Sequence, residues 1–334
     1  MSTSKIQSCF LIDFLILCII FVSHNNIVLP QSPDSSIVVS AVLLSPEQTN
    51  SIHHVSSTNF YKADSVFSFR SAKGYLPSLL TDFAEQAEAP FHFNKRQWLI
   101  TGASIGITAT LLHFDNKIDI WARVQKQKHE WVNKSSPVIT NFGSNYGIST
   151  VAVVGLVSAI FRNQKGVETS LFASQALITS GAWVQLIKHL TGREDPSATY
   201  IYSKIPGGQW WGPFAQYDQD LPVYKSVSSF DAFPSGHAAA AFSMATVFAL
   251  QYSDTKVIPV ICYSAATLVG ISRLTEHAHW ASDVFVGALI GYVCGKQVVD
   301  HHNKLFRKQL PDQGVKTEFS FIQNANQIGI RMKW

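Results

Sequence analysis

The chain has 334 residues and 36.9 kDa, enough for one large domain or two small ones. Charged residues make up 14%, against about 25% in an average soluble domain, and mean hydropathy is +0.11. This excludes a disordered chain and a nucleic-acid binder with a dominant basic face, while a net charge of +4 is too small to name a partner. What remains is an α-rich protein that is exported or membrane-associated.

At the N-terminus, Lys5 precedes the apolar run Cys9–Val22, interrupted by Asp13, and polar Ser23–Asn26 follow. A positive end and an apolar core of about 7–15 residues are the layout of a secretory leader. Residues 1–23 therefore read as a signal peptide or a retained anchor. Residues 24–94 have no sustained period and read as an irregular lead-in, in which Leu76–Ala89 could form a short amphipathic helix. A domain over 95–300 carries the charge-free runs Gln97–Phe114, Ser135–Phe161, Thr169–Ile187, Ala238–Ser253, Val257–Ser272 and Val284–Gly295. Alternation is absent from them, which predicts an all-α bundle of six helices. The connection Pro196–Phe233 holds Gly207, Gly208, Trp210 and Trp211, and a loop that long inside a compact domain usually serves function. In the tail, 301–334, partial alternation at Ile328, Ile330 and Met332 suggests a short β-hairpin. Cys9, Cys18, Cys262 and Cys294 sit in apolar stretches without CxxC spacing and read as inert buried thiols.

A membrane span takes about 20 apolar residues. The last three runs have 16, 16 and 12 charge-free residues. Tilted spans and the buried helices of an exported bundle fit them equally. Basic residues fall at both ends of the runs, so the positive-inside rule gives no orientation.

Three segments carry chemistry. Lys188–Pro196 (KHLTGREDP) closes the third run, where Lys188 offers a mobile point charge and Arg193 a planar fork of donors suited to phosphate. A basic helix C-terminus facing the dipole is the plainer reading of this segment alone. Pro234-Ser235-Gly236-His237 opens the fourth run; amides at a helix start, a glycine and a hydroxyl suit an anion, although a serine cap with a surface histidine would look the same. In Ser272–Asp283 (SRLTEHAHWASD), Arg273 adds a cation, and His279 and Asp283 are one turn apart, so the carboxylate can orient the imidazole. An ordinary polar pair is the plainer alternative. Glu276 and His277 read as loop residues, and cationic neighbours disfavour a zinc site.

Together the blocks resemble the signature of the type 2 phosphatidic acid phosphatase and vanadium haloperoxidase superfamily, K-x6-R-P, then P-S-G-H, then S-R-x5-H-x3-D. The second and third blocks are complete. In the first, Asp195 stands where the pattern has Arg, and Arg193 matches an earlier Arg in the variant G-R-x-R-P. The resemblance spans about Lys95–Asp300 and implies that family's helical bundle, with the three blocks at one end. It implies metal-independent phosphomonoester hydrolysis with catalytic His279 as nucleophile, Asp283 orienting it and His237 as acid and then base. Lys188, Ser235, Gly236 and Arg273 would bind the phosphate. Arg193 is expected to take over the contact of the missing Arg, unless Asp195 turns outward or the site is altered.

The expected substrate is a lipid phosphate or diphosphate reached from the membrane, or a small phosphomonoester, with Trp210, Trp211 and Phe214 lining an apolar approach. The expected location is the cell envelope, membrane-integrated or exported to the periplasm or exterior. No cofactor is expected, except vanadate if the chain is a haloperoxidase. A non-catalytic phosphate- or lipid-binding envelope protein is the other alternative.

Overall fold

The computed structural model describes residues 72–309 except 202–203 and 222–225, together with 318–324 and 327–333. The expected leader, Cys9, Cys18 and most of the lead-in lie outside them. In chain order the helices are α1 (Ala72–Glu88), α2 (Lys95–Lys128), α3 (Glu130–Thr140), α4 (Asn145–Ile160), α5 (Gln164–Thr191), α6 (Pro196–Ile201), α7 (Gly236–Gln251), α8 (Val257–Thr275) and α9 (Ala281–Gln309). Strands β1 (Glu318–Asn324) and β2 (Gln327–Lys333) pair antiparallel, with Phe321 opposite Ile330. They belong to a second unit, separate from the helical unit that takes in Leu76–Asn303.

The helix ends follow local chemistry. Asn94 caps α2 in a capping box with Gln97, and Asn163 caps α5 by accepting from the Gly166 amide. Gly192 ends α5 at φ +53°, the left-handed region open to glycine, which turns the chain back toward the bundle. The run Ser135–Phe161 is two helices, bent by 52° where α3 passes into α4. The 3₁₀ turn Asn141–Gly143 and Ser144, at φ −141° and ψ −114°, break the ladder there. The cluster Asn141, Gly143, Ser144 and Asn145 at the break is a turn signal inside a run that carries no charge.

Helix α7 sits centrally, packed on α5 and α8. Its other neighbour, α9, presents Gly287, Gly291 and Gly295 at helical spacing. A Cβ on each would lie 2.3, 2.2 and 2.7 Å from the carbonyl oxygens of Ser235, Ala239 and Ser243. Small residues let the two backbones approach. That approach brings the start of α9 against the start of α7, where the second and third motif blocks lie.

Helix α1 docks through polar groups. The Asp82 carboxylate meets His301 Nδ1 at 2.6 Å, Gln175 donates to Ser78 at 2.5 Å, and His302 Nε2 lies 2.7 Å from that glutamine's Oε1. Gln86 bridges Gln297 at 2.8 Å and Trp183 at 2.9 Å. Among the described residues, Val257–Thr275 and Ala281–Leu305 are long and apolar enough to cross a membrane. Cys262 and Cys294 carry no disulfide.

Candidate active site

The three motif blocks come together at the end of the bundle formed by the C-terminus of α5 and the N-termini of α7 and α9. Ser235 caps α7, its hydroxyl accepting from the Ala238 amide at 3.4 Å, and its own N–H donates to the Asp283 carbonyl at 3.0 Å. That bond ties the second block to the third. Gly236 lies against Val184, one turn before Lys188, which sets the second block beside the first.

His279 is 6% exposed, and its Nδ1 lies 2.8 Å from the Ala232 carbonyl oxygen. A carbonyl only accepts, so Nδ1 carries the proton and Nε2 keeps its lone pair. Burial, then the charges of Lys188 and Arg273, hold this imidazole well below the usual histidine range. It is therefore neutral at pH 7. His237, half-buried on the first turn of α7, feels the same two cations, and burial with that repulsion pushes it down to about 4. Arg273 has a buried Nε with no hydrogen-bond partner among the described residues. Lys188 is buried, with Nζ 3.7 Å from Asp231. Two cations and two neutral imidazoles thus lie close enough to act on one another's charge.

Asp283 is placed differently from the expectation. Its Oδ2 is 3.9 Å from His279 Nδ1, beyond hydrogen-bond distance, and accepts instead from the Trp280 amide at 2.8 Å. The imidazole takes its tautomer from Ala232, a backbone group that no side-chain motif can reveal.

Arg193 is a clearer correction. It is 1% exposed: Nη1 donates to Asp283 and to Ser282 (2.7 Å), and Nη2 to Asp115 and to the Gly207 carbonyl, both at 2.7 Å. Both terminal nitrogens are engaged within the protein, which leaves the expected phosphate contact without a free Nη. Removing one partner of so buried an ion network costs about 3–5 kcal/mol, because the others are left as unpaired charges. The Asp195 carboxylate is engaged within its own segment. Its Oδ1 accepts from Ser197 (2.6 Å) and the Ala198 amide (2.7 Å), capping α6, and its burial raises its pKa. The reversed charge is thereby absorbed by a helix start.

The long connection is pinned at its base, where the Ala232 amide donates to the Arg193 carbonyl at 3.1 Å. Trp210 lies over the Arg193 guanidinium at 4.8 Å and beside Phe233 at 5.1 Å, yet is 43% exposed, and Phe214 is 61% exposed. Trp211 instead packs edge-on to Phe230. Sequence reading missed Ala232, Asp231, Ser282 and Asp115. Only Asp115 had a signal, as a carboxylate at the end of a charge-free run.

Residues 169–307 match the model of the PAP2 superfamily. Lipid A 1-phosphatase of Porphyromonas gingivalis is 45% identical over 67 residues, 20% of this chain and 15% of that one. The probable diacylglycerol pyrophosphate phosphatase 1 of Schizosaccharomyces pombe is 33% identical over 144 residues, 37% of this chain and 52% of that one. The chain thus spans about half or less of the length of these two curated relatives. Two solved structures are also similar. The Aquifex aeolicus LpxE crystal structure has 24% identity and a TM-score of 0.35, covering 52% of this chain and 87% of that one. The PAP2 type phosphatidylglycerolphosphate phosphatase of Bacillus subtilis has 19% identity and a TM-score of 0.39, covering 76% and 99%. All three motif blocks of this chain fall inside the PAP2 match.

Proposed function

We propose that the protein is a membrane phosphatase that hydrolyses phosphate monoesters or diphosphates of lipids through a phosphohistidine, without a metal. The observation that carries this reading is the state of His279: neutral, its proton held on Nδ1 by the Ala232 carbonyl, its Nε2 lone pair available, with Lys188 and Arg273 close enough to depress its basicity. Such an imidazole is a nucleophile prepared for a phosphorus centre that the same cations attract.

In the first step Nε2 of His279 attacks phosphorus and the bond to the leaving oxygen breaks, with His237 giving that oxygen a proton. In the second, His237 takes a proton from water, the water oxygen attacks phosphorus, and the P–N bond breaks to release phosphate. Lys188, Arg273, the Ser235 hydroxyl and the Gly236 amide stabilise the non-bridging oxygens. Arg193 and the Trp280 amide hold Asp283, whose charge steadies the imidazolium side of the intermediate. The apolar helices and the exposed Trp210 and Phe214 favour a substrate with a lipid tail, in a cell-envelope membrane. The lipid phosphatase names of the curated relatives point the same way.

The test is phosphate release in EDTA by the purified full chain, with a phosphatidate, a prenyl diphosphate and an aryl phosphate compared. Release from a lipid substrate, lost in His279→Ala together with an acid-labile phosphoenzyme, is expected. Binding of inorganic phosphate without turnover of any substrate would overturn the reading.

A further inference from the structure

Helix α2 carries two buried carboxylates, Asp115 (0% exposed) and Asp119 (3%), one turn apart and so on one face. Neither belongs to a motif block, and α2 precedes the PAP2 match. Burying charge in an apolar bundle costs free energy that pairing offsets only when geometry is good. Their partners are therefore informative.

Asp119 Oδ1 meets His277 Nδ1 at 2.6 Å, and its Oδ2 lies 3.3 Å from Arg123 Nε. Asp115 Oδ1 accepts from the Ser282 amide at 2.9 Å, while Oδ2 accepts from Arg193 Nη2 at 2.7 Å and from the Ser282 hydroxyl. His277 precedes His279 by two residues, and Ser282 follows it by three. His277 is held at φ +60°, a conformation that a non-glycine residue keeps only where its surroundings impose it.

We infer that Asp115 and Asp119 are positioning residues for phosphoryl transfer, clamping the two ends of the turn that presents His279. This rests on His279 being the nucleophile. In-line attack tolerates little error, and a displacement of 1 Å can cost on the order of 100-fold in rate. The clamp acts on the nucleophile and leaves Lys188, the cation on α5, untouched.

The experiment measures kcat, KM and inorganic phosphate affinity in the full-length protein. Asp119→Ala is expected to lower kcat by about 10–100-fold with KM and phosphate affinity nearly unchanged, by that same sensitivity to misplacement. Asp119→Asn keeps an oxygen acceptor for His277 and should recover most of the loss. Asp115→Asn turns an amide donor toward Arg193 and should not. His277→Gly relieves the positive φ while cutting the clamp, so it tests the idea even where an aspartate variant folds poorly. It should match Asp119→Ala, and the double variant should be no worse than either. Wild-type kcat in Asp119→Ala or His277→Gly overturns the clamp, as does a loss confined to KM. Failure of the nucleophile itself would read differently, as turnover that survives in His279→Ala.

Discussion

At neutral pH His237 holds no proton to give, because burial and the charges of Arg273 and Lys188 push it down to about 4. On the proposed mechanism, a phosphate dianion bound between those cations would raise the imidazole again, so that the substrate would make the acid it needs. The sign follows directly. In the free enzyme the protonated form is lost as pH rises through about 4, so kcat/KM should fall from pH 5 to pH 8. In the complex the raised value moves the alkaline limb of kcat to higher pH. A kcat/KM profile flat over that range, or one unchanged in His237→Gln, would remove His237 from the acid role. The residues of this pair of histidines were legible in the sequence, since P-S-G-H and S-R-x5-H-x3-D are local patterns. The Arg193 contacts were not. Its partner Asp115 lies 78 residues away, and no spacing rule connects them.

Among the elements, α7 and α9 set the site by how closely their backbones approach. Ser235 can donate to the Asp283 carbonyl only because Gly287, Gly291 and Gly295 leave room for the carbonyls of α7. Gly291→Ala places a methyl 2.2 Å from the Ala239 oxygen, a backbone atom that cannot swing aside. Overpacking of this kind costs about 1–3 kcal/mol. Thermal unfolding in detergent should therefore show a lower Tm, with activity falling alongside, and a wild-type Tm would mean that the helices part easily. The six apolar runs fall almost wholly in helix, with one break at Asn141–Ser144, because apolar stretches without alternation have few other ways to bury their backbone groups. Their ends were less legible. Helix α2 runs on to Lys128, beyond its apolar run, because Asp115 and Asp119 face the interior, and α5 gains a turn at each end from Asn163 and Gly192.

For the molecule as a whole, the PAP2 match begins well after the fold does. Gln175 and His302, inside that match, are satisfied in part by groups on or reached through α1, and His301 bonds Asp82. A chain started at Lys95 would lose Ser78, Asp82 and Gln86 together and strand several of these partners in an apolar setting, at about 1–3 kcal/mol for each unsatisfied group. It should be recovered from membranes in markedly lower yield, or melt far earlier, than a chain started before Ala72. Equal yield and Tm would show that α1 is dispensable. This docking was hard to read from sequence, since α1 and α9 supply its halves from positions more than 200 residues apart.

The pairing of Ala232 with Arg193 closes the connection between α5 and α7 at its root, and the same Ala232 peptide holds the nucleophile through its oxygen. Between these two residues the connection touches the site again, at the Gly207 carbonyl on Arg193 and at Asp231 beside Lys188, so its path is fixed well beyond its root. A loop held in this way passes any change in its path on to the groups it anchors.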